Sequence, residues 1–146
     1  MARGYPDFFG QRIFPRYGVP TSDIAILLNC PNGATTEVFS IVGPGRTYGG
    51  GLHFFSANDF PIAVQLALTI DGVLYNTYSL AWLLERNYTQ RGDYFVQLLQ
   101  FDAGDDEYEV AFLPDFTFHA LITVSVINNC GAALNVTGEL LVSLIL

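Results

Sequence analysis

Residues Tyr94–Leu146 read YFVQLLQFDAGDDEYEVAFLPDFTFHALITVSVINNCGAALNVTGELLVSLIL. This stretch predicts consecutive β-strands with turns between them. Tyr94–Asp102 is an apolar run and Ala103–Asp106 is a turn. In Glu107–Leu113, Tyr108, Val110 and Phe112 alternate with Glu107, Glu109 and Ala111. A period of two, with β-branched and aromatic residues on one face, is the pattern of a half-buried strand. Pro114-Asp115 breaks the ladder, because proline has no N–H to donate. Phe116–Asn128 resumes the alternation as one expected strand, with Phe118, Ile122, Val124 and Val126 opposite His119, Leu121, Thr123 and Ser125. Asn128–Gly131 turns the chain, and Ala132–Leu146 forms a last long strand. Gly138 inside it predicts a bulge or a close backbone approach.

The chain before this stretch carries the same signature. Ile24–Asn29, Thr36–Val42 and Leu52–Phe55 read as short strands, and Cys30-Pro31-Asn32-Gly33 as a tight turn. Gly43–Gly51 (GPGRTYGGG) reads as a mobile connection. Its N–H groups offer an anion site, but it lacks the GK[ST] ending and the following helix of a P-loop. In Pro61–Ile70, Ile62, Val64, Leu66, Leu68 and Ile70 alternate with Ala63, Gln65, Ala67 and Thr69. Asp71-Gly72 before Val73–Tyr78 is the strongest hairpin signal in the chain. Ser79–Glu85 is the one helical piece, with Ser79 as its cap. The expected fold is all-β, an antiparallel β-sandwich or jelly roll of eight or nine strands with one short helix. A single sandwich domain is expected over residues 21–146, preceded by an extended arm over residues 1–20.

That arm, MARGYPDFFGQRIFPRYGVP, has three prolines and three glycines, too many for a helix or a central strand. It also has six large apolar residues, Tyr5, Phe8, Phe9, Ile13, Phe14 and Tyr17, too many for a disordered tail. Such a segment becomes ordered by docking. With Arg3, Arg12 and Arg16 it carries the residue types that dominate interface hot spots. Closing one end of its own sandwich is the competing expectation.

Composition points the same way. The 146 residues are 51% hydrophobic and only 14% charged, about half the usual charged share. No apolar run reaches the roughly 20 residues of a membrane helix, and no signal-peptide pattern is read at the start. An apolar chain of this kind covers its surface by assembling, so a homo-oligomer is expected and no membrane partner. There is no lysine, and no arginine after Arg91. Asp93, Asp102, Asp105, Asp106, Glu107, Glu109, Asp115 and Glu139 follow it unbalanced. A basic arm beside an acidic body predicts arm-to-body pairing, within one subunit or between two. The net charge of −8 argues against nucleic acid as a partner.

No catalytic constellation emerges. His53 and His119 sit in strands, without a G-x-S-x-G motif or a Cys–His spacing, so no catalytic residue and no cofactor is expected. Cys30 and Cys130 each follow an asparagine at the end of an apolar strand. They form either a bridge, worth up to about 4.7 kcal/mol for a loop of about 100 residues, or two small buried hydrophobes. Neither they nor the acids at 102–109 make a recognisable metal site. The acidic turn lacks the EF-hand pattern and reads as a solvated hairpin tip. The two sequons, Asn87-Tyr88-Thr89 and Asn135-Val136-Thr137, read as chance occurrences. A lectin-like jelly roll using Trp82, Tyr88 or Tyr48 is the alternative binding function, although SLAWLLE favours burial of Trp82.

One resemblance adds to this. The layout Tyr108-x-Val110-x-Phe112-x-Pro114, then Phe118, Ile122-x-Val124-x-Val126 and Asn128-Asn129, closes on Asn135-Val136-Thr137-Gly138-x-Leu140. It resembles the terminal strands of small β-sandwich structural proteins of bacteriophage virions, such as capsid decoration proteins and related head or tail components. The aromatic, proline-containing arm is similar in style. The resemblance implies a virion location, a trimer or ring of subunits, and other virion proteins as partners. Arg3, Tyr5, Phe8, Phe9, Arg12, Phe14 and Arg16 would then be the interface residues.

Overall fold

A computed structural model describes residues 21–55, 63–85, 96–102, 107–112 and 116–145. Ten strands are described: β1 Thr21–Cys30, β2 Thr35–Val42, β3 Gly45–Phe55, β4 Gln65–Ile70, β5 Val73–Ser79, β6 Val96–Asp102, β7 Glu107–Phe112, β8 Thr117–Phe118, β9 Leu121–Ile127 and β10 Leu134–Leu144. One short helix, α1, spans Leu80–Glu85. One sheet runs β1-β10-β3-β7-β6, with β8 also on β3, and the other runs β2-β9-β4-β5.

The pairings explain the architecture. β1 pairs with β10, β2 with β9, β3 with β7, and β4 with β5, all antiparallel. These four pairs are successive rungs of one long two-stranded ribbon whose tip is the β4–β5 hairpin. Rolling the ribbon adds the β10–β3 and β9–β4 pairings and leaves two stacked sheets. That is the jelly roll, with β6 as an extra strand at one edge. The tip is Asp71-Gly72, with φ of 50° and 83°. Two positive φ values make a type I′ turn, whose twist matches that of the flanking strands.

The expected alternation holds where the side chains are described. Val64, Leu66, Leu68 and Ile70 are buried from one sheet, and Leu52, Phe54, Tyr108, Val110 and Phe112 from the other. At about 25 cal/mol per Å², each such side chain contributes about 1.5–3 kcal/mol through burial. Ser79 caps α1, its Oγ accepting the Trp82 N–H at 3.0 Å.

Two expectations are corrected. The glycine-rich stretch is no mobile connection: Gly45–Gly51 is the first half of β3, a central strand between β10 and β7. Close packing explains its glycines. A Cβ on Gly50 would overlap the Glu139 carbonyl, and one on Gly51 would lie 2.8 Å from the Val110 carbonyl oxygen. The stretch Phe116–Asn128 is not one strand either. β8 pairs with β3 in the first sheet, and β9 with β2 and β4 in the second. The chain changes sheet at His119-Ala120, and alternation cannot report that because parity survives the crossing. Gly138 makes the close approach, with Leu52 Cδ2 where its Cβ would be, and the β1–β10 register shifts beside it, between the Ala25–Gly138 and Leu28–Val136 pairs.

Candidate functional site

The sandwich has two ends. At one, β1 begins at Thr21 opposite Val142 of β10, and Val142 lies opposite Thr47 of β3. The β4–β5 tip and the β8–β9 corner share this end. At the other lie the end of β1 at Cys30, the start of β10, and the β6–β7 hairpin between Asp102 and Glu107. The expected arm, residues 1–20, lies outside the described residues, with Arg3, Tyr5, Phe8, Phe9, Arg12, Phe14 and Arg16. So do Tyr88 and the acidic turn at 103–106. The chain enters the sandwich at the end opposite the acidic hairpin. For strands of ten or eleven residues that separation is roughly 30 Å.

The first end is locked by Asp71. Its carboxylate accepts the His119 N–H at 2.9 and 3.1 Å, the Ala120 N–H at 2.7 Å and the Leu121 N–H at 3.0 Å. In return its own N–H donates to the Leu121 carbonyl at 2.8 Å. The ribbon tip thereby holds the sheet-crossing corner. Those N–H groups, first among them that of His119, hold the Asp71 carboxyl below the usual carboxylate range. Sequence reading saw Asp71 only as a turn residue.

The second end is organised by Asn128, which is fully buried. Its Nδ2 donates to the Cys30 and Ala132 carbonyls at 2.8 Å each, and its Oδ1 accepts the Cys130 N–H at 3.0 Å. The signal for this role was legible: Asn128 continues the buried parity of Ile122, Val124 and Val126. A polar side chain at a core position has to be satisfied there. Cys30 and Cys130 are both free thiols and not a bridge. Cys30 is buried, and burial pushes its thiol up against an opposing hydrogen bond with Thr36. The half-buried Cys130 turns its Sγ to Asn128 Oδ1 at 2.8 Å and to the Ala132 carbonyl at 3.3 Å. The asparagine, and no disulfide, ties this junction, in line with the second of the two readings of the cysteines.

The other candidates stay apart. His53 is half-buried in β3, stacked on Phe55 at 5.5 Å between ring centroids and opposite Glu109 of β7. His119 is exposed at the corner. Trp82 is half-buried against Tyr78 at 5.1 Å, and Tyr48 lies under Arg46 at 5.5 Å, so neither offers an open stacking platform. Leu68, Phe112, Ile122 and Leu140 help to line a cavity of about 10 Å³ between the sheets, at most the size of one water. Among the described residues no group of three or more His, Cys, Asp or Glu is placed to hold a metal ion.

The most distinctive surface is the edge of the second sheet. Val73, Leu74 and Tyr75 of β5 are 58%, 58% and 57% exposed. Val73 and Leu74 pair in register with Ile70 and Thr69, and Tyr75 is the extra residue of a bulge, because Leu68 pairs with Asn76. The sequence VLYNTYS carries no charge. The opposite edge, β2, exposes Thr35, Glu37, Ser40 and Val42, mostly polar. Native sheets blunt exposed edges with charge, proline or bulges, and β5 has the bulge but no charge.

No protein-family profile and no curated protein matches the sequence. Among solved structures the chain is similar to the crystal structure of the infectious bursal disease virus VP2 subviral particle, with a TM-score of 0.47 and 13% identity. The match covers 88% of this chain and 34% of that one, so the chain spans about a third of that protein's length.

Proposed function

We propose that this chain is a non-enzymatic structural subunit of a virion. It forms a homo-oligomer, a trimer or ring, and attaches to other virion proteins through its N-terminal arm. The observation that carries the reading is the uncharged apolar edge Val73–Tyr75, exposed at the margin of the second sheet. A monomer gains nothing from such an edge; a subunit of an assembly covers it. The jelly roll serves viral capsid domains and lectins alike. The half-buried placement of Trp82 and Tyr48 favours the first. The bacteriophage and decoration-protein assignment rests on the layout of the terminal strands and the arm. Arg3, Tyr5, Phe8, Phe9, Arg12, Phe14 and Arg16 are the anchors in this reading.

Deletion of residues 1–16 tests it. The truncated protein should keep its β-sheet circular dichroism and lose its assembly by light scattering. Normal assembly of the truncated protein would remove the arm from the account.

A further inference from the structure

We infer that the β5 edge, Val73-Leu74-Tyr75, is the seat for the N-terminal segment of a second copy of this chain. The inference rests on the assembly reading above and names the surface that the arm engages.

The first argument is placement. β1 is an edge strand of one sheet and β5 is an edge strand of the other. β1 packs beside β2, at the β2 edge of the second sheet, whereas β5 lies at the opposite edge of the order β2-β9-β4-β5. The chain therefore enters the sandwich on one flank and exposes its apolar strip on the other. A segment leaving one flank and seated on the opposite flank of the next copy is a heterologous contact, and such contacts give a ring where the rotation closes and a filament where it does not.

The second argument is chemistry. The strip offers about three apolar side chains and no charge. Between Pro6 and Pro15 the arm has an uninterrupted run, Asp7–Phe14, holding Phe8, Phe9, Ile13 and Phe14. Aromatic side chains of this kind carry most of the energy of a small interface. The carboxylate of Asp71 is exposed at the head of the strip, two residues before Val73. Arg12 within this run and Arg16 two residues after it supply the opposite charge.

The third argument separates this occupant from its rival. Two β5 edges pairing with each other would need a regular ladder of N–H and C=O groups. The bulge at Tyr75 interrupts that ladder, and bulges are one of the devices that prevent edge-to-edge pairing. Side chains dominate the contact that remains, which suits a proline-bounded aromatic segment better than a second flat strand.

The test uses two full-length variants. One loses the seat, Leu74→Glu with Tyr75→Glu, at positions exposed enough to leave the core intact. The other loses the anchors, Phe8→Ser with Phe9→Ser and Phe14→Ser. Mass is measured by sedimentation or light scattering. Each variant alone should fall to the single-chain mass of 16.1 kDa. An equimolar mixture should recover a dimer of twice that mass, because the intact arm of one fits the intact seat of the other, and the dimer should grow no further. If the anchor variant dissociates while the seat variant assembles normally, the arm reading stands and this seat is wrong. If the seat variant dissociates while the anchor variant assembles, two β5 edges meet and the arm has no part. A monomeric wild type, or a mixture that stays monomeric, also overturns the inference.

Discussion

Asp71 does two things with one side chain. Its backbone takes the positive φ of the hairpin tip, and its carboxylate accepts three successive N–H groups from the corner where the chain changes sheet. The native state lowers its pKa. It therefore contributes stability above the unfolded carboxyl value of about 3.9, and that contribution is lost as pH falls through the lower native value. Asp71→Asn tolerates the same φ but turns one acceptor into a donor. Asp71→Ala removes both acceptors and adds backbone strain. Thermal melts should rank wild type above Asn above Ala at pH 7, with the gaps narrowing towards pH 2. Equal melting temperatures at pH 7 would mean that the corner does not depend on this carboxylate. Asn128 is the counterpart at the other end. Asn128→Ala takes the amide away from the Cys30 and Ala132 carbonyls and the Cys130 N–H, and should cost about 3 kcal/mol in urea denaturation. The thiols are separable as well. Native protein should react with a thiol reagent at the half-buried Cys130 and leave the buried Cys30 untouched until unfolding. A reducing agent should leave the melting temperature unchanged.

Among the elements, β3 departs furthest from its sequence expectation. Four glycines in GRTYGGG look like a mobile loop because glycine is a weak strand residue. What places them in a central strand is the nearness of β10 and β7, which leaves no room for a Cβ at Gly50 and little at Gly51. Gly50→Ala should therefore destabilise the domain by about 3 kcal/mol, since the atoms it meets are backbone and cannot rotate away. Gly138→Ala should cost less, about 1–2 kcal/mol, if the flexible side chain of Leu52 gives way, although the Gly51 carbonyl oxygen 2.6 Å away limits the gain. Equal costs at both sites would show that the strands adjust freely. α1 and the β4–β5 hairpin, by contrast, were legible in full, because Ser79 and Asp71-Gly72 act on their own neighbours.

For the whole molecule, the ribbon pairing β1–β10, β2–β9, β3–β7 and β4–β5 turns the ten described strands into a jelly roll. It also sorts the surface. β2 keeps polar residues at its edge, β5 presents Val73-Leu74-Tyr75, and the chain enters far from the acidic hairpin. If the chain assembles as proposed, losing the arm anchors or the β5 strip should each leave folded single chains by light scattering. The sequence by itself determined the strand-rich class, the buried parity of β4, β7 and β9, the tip of the hairpin and the helix cap. All of these follow from side chains two to four residues apart. Only the tertiary structure decided that Gly45–Gly51 is a central strand, that β8 and β9 lie in different sheets, that Asn128 stands between two free thiols, and that one edge is left apolar. Each depends on which distant backbone comes to lie alongside, and alternation within a strand carries no record of its neighbour.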